Sequence, residues 1–291
     1  MYEGVFTALV TPFTEEGKID EQALRRLVDF QIEEGIDGLV PVGTTGESPT
    51  LGAEETEAVI RITVEQARGR VPVIAGAGSN STDKAIHLAA AAKKLGATAS
   101  LQVAPYYNKP TAEGFYRHFT AIADAVDLPM VVYNIPGRTG KNIENSTMLR
   151  LAGHRNIVAV KEASGDVSQM MNLISQKPAA FAVLSGDDNL AFPLIALGGK
   201  GVISVASNLV PGRMKEMVSA ALQGKWDKAR ELHYRLLPLF KAIFIETNPI
   251  PIKAALAMKG LMKEVYRLPM CPLAEENRKT LAGVLRELKI L

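Results

Sequence analysis

The sequence predicts an α/β fold: a (β/α)8 barrel followed by a helical C-terminal subdomain. Three observations carry this. Short β-rich apolar runs recur at intervals of about 20 to 35 residues, eight times in all. Longer segments with helical periodicity separate them. The runs are nearly continuously apolar, which implies burial on both faces, as in a parallel sheet. Eight strand-then-helix units fit a closed barrel better than a six-stranded doubly wound sheet.

The first run begins at Val5 and reads Val-Phe-Thr-Ala-Leu-Val. Behind it, residues 21–35 place Leu24, Leu27, Val28 and Ile32 at helical spacing, before Gly35, which can end a helix. The second run starts at Gly38 (Gly-Leu-Val-Pro-Val) and the third at Val71 (Val-Pro-Val-Ile-Ala), and residues 82–96 follow with helical spacing. The fourth starts at Ala99 and is followed by a helical pattern over 112–125; the fifth begins at Met130, the sixth at Ile157, the seventh at Phe181 and the eighth at Val202. Beyond the eighth the alternation stops. Residues 226–245, 250–259 and 273–288 carry helical patterns only. The expected division is therefore a barrel over 1–225 and a helical subdomain over 226–291, packed directly on it because no low-complexity linker intervenes.

At about 150 residues per domain, 291 residues would suggest two domains, but barrels of about 250 form one. Lys and Arg total 33 against 31 Asp and Glu, a formal charge of +2 with no long basic run, so nucleic acid is not an expected partner. The single cysteine, Cys271, allows neither an internal disulfide nor a Cys-rich zinc site and suits a reducing compartment, so a cytoplasmic location is expected. The N-terminal residues lack a basic stretch followed by an apolar one, and no stretch of about 18 apolar residues occurs, so neither export nor a membrane partner is expected.

In a barrel enzyme the chemistry sits where strands end, so the polar residues that follow each run are the candidates. Lys161 follows Ile157-Val158-Ala159-Val160. At the rim of a barrel interior, desolvation lowers the pKa of an ammonium, and a neutral amine is a nucleophile suited to Schiff-base formation with a carbonyl. The alternative is a lysine that snorkels out to solvent. Tyr133 ends the fifth run and is either a general acid and base at the same cavity or a core tyrosine with a satisfied hydroxyl. Thr44 and Thr45 lie between Gly43 and Gly46, in a turn that is either a carboxylate-binding nest of N–H groups and hydroxyls or merely a turn. Arg138, in Pro136-Gly137-Arg138-Thr139-Gly140, suits bidentate recognition of a carboxylate or a surface ion pair.

His87, His118, His154 and His233 all fall on expected helices or their ends, and no spacing matches a metal site. Gly76-Ala77-Gly78 lacks the third glycine of a dinucleotide fingerprint, and Gly198-Gly199-Lys200-Gly201 lacks the hydroxyl residue of a phosphate loop. No cofactor and no metal are expected.

Taken together, the motifs resemble the pyruvate-dependent class I aldolase family of dihydrodipicolinate synthase and N-acetylneuraminate lyase, end to end. The resemblance rests on Gly43-Thr44-Thr45-Gly46-Glu47-Ser48, Pro105-Tyr106-Tyr107-Asn108, Tyr133-Asn134-Ile135-Pro136-Gly137-Arg138-Thr139-Gly140 and Val160-Lys161-Glu162-Ala163. Leu184-Ser185-Gly186-Asp187-Asp188, Gly201-Val202-Ile203-Ser204 and Glu246-Thr247-Asn248-Pro249-Ile250-Pro251 complete it. It implies that Lys161 forms an imine with pyruvate and that the derived enamine adds to aspartate 4-semialdehyde. The product it implies would be 4-hydroxy-tetrahydrodipicolinate, on the route to diaminopimelate and lysine.

The same resemblance implies that Tyr133 transfers protons, with Thr44 and Tyr107 as its hydroxyl relay. Thr45 would hold the pyruvate carboxylate and Arg138 that of the semialdehyde, while Gly186 and Ile203 line the Schiff-base pocket. Tyr107 would reach the neighbouring subunit's site across a tight dimer, and two dimers would pair as a homotetramer. The arginine loop favours the synthase over lyases that accept a polyol; an aldolase for another 2-keto acid or a sugar acid, and a silent keto-acid-binding homologue, are the alternatives. Many bacterial members also have a lysine-inhibitor cleft, whose Ser48, Asn80 and Tyr106 equivalents are retained. At three other positions, typically His, His and Glu in sensitive members, this chain has Ala53, Thr56 and Lys84. Weak or absent lysine inhibition is expected, because Lys84 repels an ammonium.

Overall fold

The computed structural model describes residues 2–291. In chain order the first half runs β1 (Gly4–Ala8), α1 (Glu21–Glu33), β2 (Gly38–Val40), α2 (Ala53–Ala67), β3 (Ile74–Gly76), α3 (Thr82–Lys94), β4 (Ala99–Val103) and α4 (Ala112–Ala125). It continues with β5 (Met130–Asn134), α5 (Pro136–Thr139), α6 (Asn145–Ala152), β6 (Ile157–Glu162), α7 (Val167–Gln176), β7 (Ala182–Ser185), α8 (Ala191–Ala196), β8 (Gly201–Ser204) and α9 (Pro211–Leu222). Three helices close the chain: α10 (Trp226–Ala242), α11 (Ile250–Met258) and α12 (Glu275–Glu287).

The eight strands seen among the described residues pair in parallel in the order β2-β1-β8-β7-β6-β5-β4-β3. The barrel closes between β2 and β3 through the Leu39–Val73 bridge, with Leu39 N donating to Pro72 O at 3.0 Å and Gly76 N to Pro41 O at 2.9 Å. A side chain on Gly76 would meet the Val42 carbonyl oxygen at 2.0 Å, so this approach requires glycine. The third strand is shorter than the apolar run starting at Val71 suggests: β3 begins at Ile74. Pro72 has no N–H to give to a ladder.

Continuous apolarity has its explanation in two cores. Phe6, Val40, Ile74, Leu101, Val131, Ala159, Leu184 and Ile203 fill the barrel interior. Their neighbours one residue away, Leu39, Val132, Val160, Val183 and Val202, face the helices and join a second, larger cluster. Each Val, Leu, Ile or Phe among them contributes roughly 1.5–3 kcal/mol of burial. The helices start where short polar side chains cap them: Asp20, Ser81, Thr111 and Asp166 each accept from the N–H three residues on. Helix α10 packs on α9 and α8, and α11 on α12 and on the helical turn Ala206–Asn208 that follows β8. No helix of the described residues is long and apolar enough to cross a membrane.

Candidate active site at the barrel mouth

Alternation along β6 aims Ala159 and then Lys161 into the barrel, and Lys161 is 5% exposed, which rules out a snorkelling lysine. Its register partners are Tyr133 on β5 and Leu184 on β7. The Lys161 Nζ stands 4.1 Å from the centroid of the Tyr133 ring. Burial pushes the amine down to about 8, helped by the Arg138 charge, while Asp188 and Asp187 pull it back up. The Tyr133 phenol is driven above its ordinary value, mainly by burial, with Arg138 and the Thr44 hydroxyl countering. A tyrosine so placed keeps its proton until a base takes it.

Gly186 follows β7 and lies flat against the lysine stem. A Cβ there would sit 2.7 Å from the Ala163 Cβ and 3.1 Å from both Cε and Cγ of Lys161. Ile203, on β8, is fully buried in the interior cluster. Gly186 therefore borders the Lys161 side chain, and Ile203 belongs to the interior cluster of the barrel.

Thr44 and Thr45 occupy a turn after β2 in which Gly46 N and Ser48 N donate to Gly43 O, and Glu47 N to Thr44 O. Two non-glycine residues flank it in the left-handed region, Val42 at φ 58° and Glu47 at φ 56°. Each such residue costs about 1–3 kcal/mol, a load usually found at functional sites. Thr44 is half-buried and lines a cavity of about 500 Å³ shared with Tyr133, Arg138 and Ile135. Thr45 is buried, and its Oγ1 accepts from Asn248 Nδ2 at 3.0 Å.

Arg138 lies on one helical turn, α5, where a loop was expected. Pro136 starts the turn with its φ already helical, and Gly140 ends it at φ 74°. The guanidinium donates to Asn248 O at 3.1 Å and is otherwise open towards the cavity it lines. Tyr107 does not enter this chain's site: it is 90% exposed, at φ 68°.

The structure adds residues that carried no role in the sequence reading. Asp188 is buried, accepts from Ser204 Oγ at 2.5 Å and from Val205 N and Ala206 N at 3.0 Å each, and is pushed up to about 6 by burial. It ties the end of β7 to the end of β8. Asn248 joins Thr45 to Arg138, and Glu47 pairs with Lys253 in the interior. The available signal was the placement of Glu47, Asp188 and Asn248 inside three of the motifs; Lys253 lies in none of them. The same cavity extends past Ser48, Ala53, Thr56, Lys84 and Tyr106, so the positions of the cleft adjoin the barrel mouth; Asn80 bonds to Tyr106 O at 3.2 Å. Among the described residues, no group of three or more His, Cys, Asp or Glu side chains converges to hold a metal.

Residues 1–288 match the dihydrodipicolinate synthetase family. A 4-hydroxy-tetrahydrodipicolinate synthase of Pelobacter propionicus is 53% identical over 286 residues, 98% of each chain. The chloride-inhibited dihydrodipicolinate synthase of Acinetobacter baumannii, solved with pyruvate, superposes with a TM-score of 0.99 at 45% identity over 100% of both chains. A monomeric dihydrodipicolinate synthase variant matches with a TM-score of 0.98 at 45% identity, covering 100% of this chain and 98% of its own.

Proposed function

The chain belongs to the dihydrodipicolinate synthetase family, and from that premise we propose how its barrel mouth condenses pyruvate with aspartate 4-semialdehyde to 4-hydroxy-tetrahydrodipicolinate. The observation that carries the reading is the buried Lys161 amine, stacked on Tyr133 at the end of a barrel strand. With its pKa at about 8, roughly a tenth of it is neutral at pH 7, against under ~0.1% for an ordinary lysine.

The neutral Lys161 amine attacks C2 of pyruvate, and water leaves to give the imine. Loss of a C3 proton gives the enamine, whose carbon adds to the aldehyde. The α-amino group of the adduct then attacks the imine carbon, closes the six-membered ring and returns Lys161. Tyr133 hands protons to and from these centres, with the Thr44 hydroxyl next to it and Tyr107 of the partner subunit completing the relay. Thr45 holds the pyruvate carboxylate. Arg138, whose one remaining face opens to the cavity, holds that of the semialdehyde. Gly186 and Ile203 shape the imine pocket.

The shared tyrosine makes the working unit a pair of chains, two pairs forming a tetramer. In its support, Tyr107 and Tyr106 project from one exposed loop, at 90% and 41% exposure. The helices beyond residue 225 form a subdomain that reaches back into the site through Asn248. A cytoplasmic location fits the lone, exposed Cys271.

Borohydride trapping with pyruvate tests the assignment. A reduced adduct is expected on Lys161 and on no other residue. Lys161→Ala should lose it, and Arg138→Ala should keep it while losing use of the semialdehyde. An adduct elsewhere, or rapid turnover of a sugar acid with none of the semialdehyde, overturns the reading.

A further inference from the structure

We propose that Glu47 and Lys253 are positioning residues: a buried charge strut by which helix α11 sets the Thr44–Thr45 turn against the barrel mouth. The proposal rests on the reading that this turn holds the pyruvate carboxylate.

Both partners are fully interior, Glu47 at 2% and Lys253 at 0% exposure, and they are joined by a direct ion pair. The ammonium also stands over the rings of Phe13 at 4.3 Å and Tyr266 at 5.4 Å, and the second Glu47 oxygen accepts from Arg267 N at 3.4 Å. The surroundings are therefore aromatic and closed to solvent, with the Arg267 guanidinium over the same Phe13 ring at 4.4 Å. Two charges in such a place are desolvated at a cost that their attraction barely returns, and a well-packed apolar pair would fold the region as well or better. Stability is thus a poor reason for this pair.

Geometry supplies another. Glu47 is the last residue of the catalytic turn and stands in the left-handed conformation, as does Val42 at its start. A turn strained at both ends needs an outside constraint to hold one arrangement. Thr11 gives one, its hydroxyl bonding to Gly46 O at 2.7 Å. The ion pair gives the other, fixing the far end to α11. Five residues before Lys253, Asn248 contacts Thr45 through its side chain and Arg138 through its carbonyl. One short segment, residues 248–253, therefore contacts the groups assigned to both substrate carboxylates. An ion pair specifies a direction and a reach that two apolar side chains would not.

The test replaces the pair by methionines, Glu47→Met with Lys253→Met, and compares melting temperature, steady-state kinetics and borohydride trapping against pyruvate concentration. The expected result is an unchanged or raised melting temperature, a tenfold or larger rise in pyruvate half-saturation in both assays, and an adduct still confined to Lys161 at saturating pyruvate. Unchanged half-saturation in the folded double variant overturns the proposal. Should the double variant not fold, Glu47→Gln keeps the shape and removes one charge: a threefold or larger rise supports the strut, and wild-type half-saturation refutes it. Trapping on the wild-type chain separates the two readings, because absence of a Lys161 adduct there defeats the active-site assignment, whereas unaltered variants defeat only the strut.

Discussion

Lys161, the nucleophile of the proposed reaction, is an energetic burden on the fold. Its ammonium titrates at about 8 in the native chain against 10.5 when solvated, a burial penalty on the order of 3 kcal/mol. The unfolded chain binds more protons between those values, so this penalty is fully present below pH 8 and is relieved as pH rises towards 10.5. Lys161→Met should therefore be inactive yet more stable than wild type at pH 7 by about 2–3 kcal/mol, a gain that shrinks above pH 8; urea unfolding at pH 7 and pH 9.5 measures it. The initial rate of adduct trapping should rise with pH to half its maximum near 8. Gly186 is the matching steric requirement. Gly186→Ala would press a methyl onto the lysine stem, 3.1 Å from its Cε, and should lower kcat at least tenfold while the chain stays folded by circular dichroism.

Between elements, the buried carboxylate of Asp188 ties the segment after β7 to the end of β8, close enough for its charge to act on Lys161. Asp188→Ala would leave the Ser204 hydroxyl and the Val205 and Ala206 N–H groups without their acceptor, and should cost roughly 3 kcal/mol in chemical denaturation. Because its negative charge raises the Lys161 pKa, the same variant should shift the trapping midpoint below that of wild type. Helix α3 carries the second element-level consequence. Its first turn brings Lys84 to a cavity wall shared with Ala53 and Thr56, a cationic and otherwise neutral lining for an amino acid bearing two ammonium groups. Titration with lysine in a steady-state assay should show no half-inhibition below millimolar concentration, and sub-millimolar inhibition would refute the expectation.

For the molecule as a whole, acid sensitivity and assembly are the properties to measure. His118 is buried on α4, with one ring nitrogen paired to Thr82 Oγ1 at 2.9 Å and Nε2 without a partner. Burial pushes it down to about 4, so between pH 6.5 and 4 the unfolded chain binds the extra proton and stability falls as pH drops. His118→Gln should reduce the loss of unfolding free energy between pH 7 and pH 4.5 by about 2 kcal/mol. If each site borrows Tyr107 from its neighbour, mixing Tyr107→Ala and Lys161→Ala chains restores one complete site in every hybrid pair. Statistical reassociation should then return about a quarter of wild-type activity, and no recovery would argue for self-contained sites.

The eight strands, the barrel and the position of Lys161, Tyr133, Thr44, Thr45 and Arg138 at or just beyond strand ends were legible in the chain, whereas the short helix α5 was not. Periodicity and strand-end position are local properties, and each motif lies within a few residues of a strand end. The edge of β3 was less so, because a proline interrupts an otherwise suitable apolar run. Glu47 with Lys253, Asn248 with Thr45 and Arg138, and Asp188 with the end of β8 were decided by tertiary structure alone. The first two couplings join groups separated by 110 to 206 residues, and no periodicity records which buried polar group finds which partner once water has been excluded.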